Sequence, residues 1–216
     1  MTIFSAKLNK TEVIEVYTQT APVYDLWGRL TETQARHRAL ALADIHNGES
    51  ILEVAVGTGL TFLEILKANP KGQNIGVDLT PAMLAKAQAR AAQSGIQNFQ
   101  LTLGDAYALN FPDLSFDLLV NNYMFDLLPE KDFMHVLAEF QRVLKPGGRL
   151  VLINMTKAER WHHNFWESVY RVKPSLLGGC RGVRLSGPLQ KQGFKQIQRE
   201  YTSQLGFPSE IILANV

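Results

Sequence analysis

The sequence predicts an α/β fold built on a doubly wound, largely parallel sheet, and three observations carry that prediction. Short apolar runs rich in β-branched residues alternate with helix-forming segments between residues 51 and 154. The C-terminal ends of these runs carry glycines and polar residues, as expected of an open sheet whose strand ends meet a ligand. The last two apolar runs are joined by only a short turn, which requires them to pair antiparallel.

Each element follows from its local chemistry. Residues 10–46 read as helical, because Val13, Ile14, Val16 and Tyr17 recur at helix spacing. Pro22 interrupts the stretch, and a second helix runs from about Thr31 to His46-Asn47-Gly48. ILEVAV (51–56), bounded by Gly57 and Gly59, is a buried strand, and Leu60 to Ala68 is a helix stopped by Asn69-Pro70. NIGVD (74–78) is the second strand. Pro81 suits the first turn of the next helix, whose AMLAKAQARAAQ is rich in strong helix formers. FQLTL (99–103) and FDLLVNN (116–122) are the third and fourth strands. Glu130 to Leu144 reads as a helix closed by Lys145-Pro146-Gly147-Gly148, before the fifth strand, RLVLIN (149–154). FKQIQREY (194–201) and SEIILANV (209–216) form the closing hairpin. Residues 155–192 break the rhythm, and a segment of this kind on a rigid scaffold carries recognition.

Composition bounds the function. The chain has 216 residues, of which 46% are hydrophobic and 19% charged. That supports one domain with a packed core and excludes wholesale disorder. A single cysteine, Cys180, excludes an intramolecular disulfide and a cysteine-rich zinc site, and it fits a reducing compartment. No metal site is expected. The opening residues lack the apolar core of a signal peptide, and Asn121 and Asn122 break the longest apolar run, so a cytoplasmic protein is expected. Residues 157–199 hold nine lysines and arginines against Glu159 and Glu167, a basic excess that suits an anionic substrate, a membrane surface or simply a solvated face.

Polar residues gather at four successive strand ends: Glu53 to Gly59, Asp78, Asp105, and Asn121 with Asn122. Gly57-Thr58-Gly59 is a tight turn into a helix, where glycine allows close backbone approach to a ligand. Asp78 lies about 20 residues further on, the spacing at which an acid accepts from ribose hydroxyls. The alternative for Asp78 is a helix cap before Thr80-Pro81. Together, turn and acid indicate a nucleoside cofactor. The run Gly57-Thr58-Gly59-Leu60-Thr61-Phe62 lacks the third glycine of a dinucleotide site, and Glu53 disfavours a pyrophosphate beside it. A positively charged cofactor fits better, and a nicotinamide-dependent oxidoreductase is the weaker alternative.

ILEVAVGTG, GVDLTPAMLAKAQ, GDAYALNFPDLSFD and RVLKPGGRLVLIN resemble the successive motifs of class I S-adenosylmethionine-dependent methyltransferases, and most closely the UbiE-like (methyltransferase type 11) group. YTQTAPVYD (17–25) resembles that group's lead-in. The resemblance covers about residues 10–155. It implies a Rossmann-like seven-stranded sheet of order 3-2-1-4-5-7-6 with the last strand antiparallel. It also implies S-adenosyl-L-methionine as cofactor and S-adenosyl-L-homocysteine as product. On this reading residues 1–48 form a helical lid, 49–154 the cofactor-binding core, 155–192 an acceptor-side insertion and 193–216 the hairpin.

By the same resemblance Glu53, Val56, Gly57, Thr58 and Gly59 line the methionine part of the cofactor. Asp78 holds the ribose, with Leu79 and Met83 flanking the adenine. Asp105 accepts from the adenine amino group, the Ala106 backbone reads the ring, and the Asn121 backbone meets the methionyl amino group. Tyr17 and Tyr24 close over the cofactor. One position departs from the pattern: Ala55 stands where the group has glycine. A non-catalytic cofactor-binding relative is the alternative that this departure leaves open.

The acceptor side is read from the residues themselves. Candidate proton acceptors are Asp126, His162 and His163, and the alternatives are a loop acid and an aromatic-rich packing helix. Tyr24, Tyr123, Asp126, Trp161 and Trp166 are candidate substrate contacts. Asn121-Asn122-Tyr123-Met124 is not the [DN]-P-P-[YF] run of nucleic-acid amino methyltransferases, so no nucleic acid is expected. Aromatic residues beside a basic excess point to an amphiphilic acceptor: a quinone precursor, a phospholipid headgroup or an aromatic metabolite, with peripheral membrane contact. GFPSEIILA and the basic segment are expected to suit a phosphate. No signal for an oligomeric state is present.

Overall fold

The computed structural model describes residues 8–22, 24–157, 159 and 179–216. Its centre is a seven-stranded sheet in the order β3-β2-β1-β4-β5-β7-β6. The strands are β1 (Ser50–Val54), β2 (Gln73–Asp78), β3 (Phe99–Leu103), β4 (Phe116–Asn122), β5 (Leu144–Met155), β6 (Lys195–Gln204) and β7 (Phe207–Asn215). β1 to β5 pair parallel, and β7 is antiparallel to both β5 and β6. The expected order and the antiparallel last strand are both present. Strand order reverses between β1 and β4, and this reversal positions the site. Val54 lies opposite both Val77 and Asn121, so the ends of β1, β2 and β4 come level.

Helices cover both faces because strand residues alternate in direction. Leu52 and Val54 of β1, Leu119 of β4, and Leu150 and Leu152 of β5 face one side. There they meet helix α6 (Phe133–Val143), whose Phe133, Val136, Leu137, Phe140 and Val143 recur at helix spacing and are all buried. Ile51, Leu118, Val120, Val151 and Ile153 face the other side and meet α3 (Thr33–Ala43). Its buried Ala35, Ala39 and Ala43 form a stripe of small residues that lets the helix lie close to the sheet.

The lead-in contains three helices rather than two: α1 (Lys10–Thr20), α2 (Tyr24–Thr31) and α3. Pro22 separates the first pair, and a single turn residue, Glu32, lies between α2 and α3. α1 is held at its start by a capping box between Asn9 and Glu12, and it buries no residue fully. α4 (Leu60–Ala68) and α5 (Pro81–Ala92) match their expected spans. The helix expected over Glu130–Leu144 is a 3-10 turn at Glu130–Asp132 followed by α6, and β5 begins directly at Leu144. Leu144 pairs with Phe116 before the register shifts to Leu118–Arg149, so Lys145 to Gly148 form a bulge inside the strand rather than a cap. Gly147, at φ 78°, makes that bulge possible, and Lys145 secures it on the Asp117 carboxylate at 2.8 Å. A short helix, α7 (Ser186–Gln192), precedes the hairpin. Among the described residues no helix is long and apolar enough to cross a membrane.

Candidate active site

A cavity of about 570 Å3 opens at the C-terminal ends of β1, β2 and β4. A second, smaller recess of about 50 Å3 adjoins it, sharing Tyr24, Ala55, Gly57, Asn122 and Tyr123 as wall. The β1–α4 loop forms the floor of both. Ala55, Gly57 and Gly59 have φ of 60°, 55° and 80°, so three of five consecutive residues are left-handed. A side chain on Gly57 would meet no atom within 4 Å, whereas one on Gly59 would come within 2.9 Å of the Ala87 backbone in α5. Gly59 therefore serves helix packing and lines neither cavity, and Gly57 keeps the wall open to a ligand.

Asp78 is 8% exposed and clamps this loop. Its Oδ2 accepts from Gly57 N at 2.8 Å and its Oδ1 from Thr80 N at 2.8 Å. Asp78 thus braces the turn that leads into α5 and also lines the cavity. Burial raises its carboxyl above the usual range, and the backbone donors at Thr80 and Gly57 oppose that rise. Each oxygen retains acceptor capacity for a ligand hydroxyl. Leu79 and Met83 line the cavity beside it.

Asp105 and Ala106 line the far side. Asp105 Oδ1 accepts from Tyr107 N at 3.2 Å, and its Oδ2 pairs with Lys10, which reaches across from the start of α1. Lys10 also lies 5.9 Å over the Tyr107 ring, whose hydroxyl donates to Asp132 at 2.9 Å. Tyr17 and Tyr24 face each other at 5.8 Å on the lid side. The lid is pinned to the glycine loop through Asp25, which accepts from Thr58 Oγ1 at 2.6 Å and pairs with Arg90 of α5.

Glu53 is 1% exposed and sits in the smaller recess with Val56, Thr58, Glu32 and Arg36. Burial pushes its carboxyl well above the usual range, against the hydrogen bond from Asn122 to Oε1 at 3.2 Å. Its Oε2 and the Asn122 Oδ1 are buried without a partner. Buried polar atoms are almost always satisfied, so this pair of acceptors fits a ligand that brings hydrogens, such as an ammonium. Asn121 is turned inward: its amide donates to Val54 O at 2.8 Å and its side chain is sealed in the core.

Of the acceptor-side candidates, Tyr24 and Tyr123 line the cavity. Asp126 does not. It is fully buried, its Oδ2 accepts from Met155 N at 3.0 Å, and Cys180 lies beside it. Burial pushes its carboxyl up to about 7. The hydroxyl of Tyr17, a cavity-lining residue, is 3.8 Å from the Cys180 sulfur, and that pair links Asp126 to the cavity. His162, His163, Trp161 and Trp166 lie outside the described residues.

The basic excess is partly structural. Arg181 is 1% exposed and donates to the backbone of Asp126 and Leu128, and Arg199 pairs with Glu210 and Glu159. GFPSEIILA does not suit a phosphate: it is the buried β7, where Ser209 bonds Tyr123 at 2.8 Å and Glu210 is itself an anion. Sequence reasoning did not single out Glu32 and Arg36. Their one signal was a charged pair at i, i+4 directly after the Tyr24-Asp25 lead-in.

A model of the methyltransferase domain family matches residues 51–148. A demethylmenaquinone methyltransferase of Thermus thermophilus is 35% identical over 173 residues, covering 77% of this chain and 77% of that protein. The chain belongs to the class I S-adenosylmethionine-dependent methyltransferases, in their UbiE-like group. An arsenite methyltransferase of Halobacterium salinarum is 31% identical over 73% of this chain, but the match spans only 40% of that protein. Among solved structures, the [4+2]-cyclase SpnF superposes with a TM-score of 0.75 over 99% of this chain and 97% of its own, at 19% identity. That likeness is one of fold alone. This methyltransferase uses S-adenosylmethionine, and the nicotinamide alternative falls away.

Proposed function

We propose that this methyltransferase acts on a small amphiphilic acceptor with an aromatic ring, of the quinone-precursor class. The observation that carries the reading is the wall of the larger cavity. Away from Asp78 and Asp105 it consists of Leu8, Val13, Met124, Leu127 and Leu128 with the rings of Tyr17, Tyr24 and Tyr123. Such a wall suits a flat apolar ring, and the volume lies in the range of about 300–1,000 Å3 usual for small-molecule sites. The relative named for demethylmenaquinone supports the same class. An amphiphile of this kind partitions into membranes, so transient contact with a bilayer surface and a cytoplasmic location belong to the proposal.

When bound, S-adenosylmethionine supplies a methyl group already activated by its sulfonium centre. The protein's part is then positional, since holding reactants in line supplies much of the rate. Asp78 and the Gly57 turn fix the ribose. The Thr58–Asp25–Arg90 link sets α2 against the loop and so holds Tyr24 beside Tyr17, where aromatic faces favour a cation over a neutral product. The Lys10–Asp105 pair holds α1 over the cavity and limits water. An acceptor hydroxyl must lose a proton. Asp126, near 7 and linked to the wall through Cys180 and Tyr17, is the described group suited to take it, with His162 and His163 as the other candidates.

The test uses S-adenosylmethionine with a labelled methyl, the purified protein and an extract of its source cells, followed by solvent partition. Label in the organic phase, reproduced with reduced demethylmenaquinone as sole acceptor, supports the reading. Label confined to aqueous small molecules or to precipitated polymer sinks it.

A further inference from the structure

Helix α2 presents leucines to solvent. Its Gly28 and Thr31 are buried, and Trp27 meets Phe207 of β7 edge-on at 5.7 Å, so these residues seat the helix on the sheet. Leu26 and Leu30, one turn apart, are exposed. The tip of the β6–β7 hairpin stands beside the helix: the Gln204 side chain donates to Arg29 O at 2.9 Å and accepts from Gln34 N at 2.8 Å. The next residue, Leu205, is 70% exposed. Of the six large apolar side chains exposed among the described residues, three therefore belong to one helix face and the turn beside it. Such side chains need no explanation singly, but a group of them marks a contact surface.

Leu205 is also a poor residue for its turn. It joins Gly206 between strands whose last pair is Gln204–Phe207, and the two have φ of 49° and 76°. A two-residue turn with both φ positive favours asparagine or aspartate before glycine, and a bulky side chain there is strained. Leucine serves neither the turn nor the solubility of this surface, which directs its role to a contact outside the chain.

Charge selects the partner. Arg29, between the two leucines of α2, is exposed and takes part in no ion pair among the described residues. The acids of α2, of the turn after it and of the hairpin are compensated or hidden: Asp25 pairs with Arg90, Glu200 with Arg38 and Glu210 with Arg199, and Glu32 is buried. Leucines around an uncompensated guanidinium match a bilayer with anionic headgroups. A two-fold dimer through so small a face would set like charges near one another.

We propose that α2 and the hairpin tip dock the protein on an anionic lipid bilayer, with Leu26, Leu30 and Leu205 in the acyl boundary and Arg29 at the headgroup phosphates. The proposal rests on the amphiphilic-acceptor reading and names the surface that serves it. Tyr24, the first residue of α2, lines the larger cavity, so docking sets the cavity rim against the membrane from which such an acceptor arrives.

Co-sedimentation of the whole chain tests this, with vesicles of phosphatidylcholine alone and vesicles containing about one-third phosphatidylglycerol. The wild type should bind the anionic vesicles, and added salt should weaken the binding. Leu205→Asn should partition about 10-fold more weakly, as should the double change Leu26→Gln with Leu30→Gln. Arg29→Gln should lose about 5-fold on anionic vesicles and little on neutral ones. Leu205→Asn places the favoured residue in its turn, so it should unfold at the same or a higher urea concentration, which separates lost docking from lost folding. It should methylate a short-chain, water-soluble quinol at the wild-type rate and a vesicle-borne one more slowly. Wild-type protein that ignores both vesicles, or leucine variants that bind as it does, would overturn the proposal. A lipid-free dimer dispersed by Leu205→Asn would make the face an interface between copies instead. Failure to methylate even the water-soluble quinol would overturn the acceptor reading, whatever the vesicles show.

Discussion

Replacing Glu32 by glutamine removes one titrating proton from a buried site and leaves the side-chain shape nearly unchanged. Glu32 is 7% exposed. Burial, helped by the charge of Asp126 and opposed by Arg36, Trp27 and Tyr24, moves its carboxyl from 4.5 to about 8. The folded state then holds a proton that the unfolded state has released, so stability falls as pH rises between those values. The slope is about 1.4 kcal/mol per pH unit for one proton. At pH 7 the loss relative to pH 4 amounts to about 3 kcal/mol, an upper figure because water penetration softens buried charges. Asp126, also raised, titrates over part of the same window, and the two act as a coupled pair. Urea unfolding at several pH values between 5 and 7.5 measures the effect. The wild type should weaken across the window, and Glu32→Gln should weaken by distinctly less. Parallel profiles for the two proteins would refute the reasoning, since they would mean that Glu32 titrates in its ordinary range.

Four other changes probe the site. Asp78→Ala strips Gly57 N and Thr80 N of their acceptor and removes the proposed ribose contact, so affinity for S-adenosylhomocysteine should drop about 100-fold or more by calorimetry; unchanged affinity would place the ribose elsewhere. Gly59→Ala should cost about 2–4 kcal/mol in chemical denaturation, because the added carbon combines a left-handed φ with a clash at Ala87. Gly57→Ala should cost only about 1–2 kcal/mol, since its side chain meets nothing, yet it should weaken cofactor binding; equal stability losses for the two glycines would contradict the packing described. Ala55→Gly relieves a residue held at φ 60°, and with glycine's unfolded-state entropy offsetting the gain, stability should change by less than about 1 kcal/mol. Affinity for S-adenosylhomocysteine should stay equal or improve, and a several-fold loss would show that the alanine methyl packs against the cofactor.

Much of this was legible in the chain because it is local chemistry. The strand spans of β3 and β4, the helix spans of α4 and α5, and the antiparallel hairpin follow from runs of apolar residues, from Asn69, Pro70 and Pro81, and from the short turn at Gly206. The glycine turn and Asp78 follow from spacing along one βα unit. The bulge at Lys145–Gly148 was not legible, because Pro-Gly-Gly stops a helix equally well whether or not a strand lies beside it. Only the pairing of Leu144 with Phe116 decides which happens.

The sequence by itself determined which residues sit at the strand ends, because alternation and turn chemistry act over a few residues. The tertiary structure alone decided what those residues touch. It turned Asn121 into the core and its neighbour Asn122 onto Glu53, and it set Asp126 behind Cys180 rather than on the cavity wall. It brought Lys10 to Asp105 across 95 positions and set Arg36 facing the end of β1. Such contacts depend on how helices dock on the sheet, and docking is set by the summed packing of many side chains, which no single stretch of sequence contains.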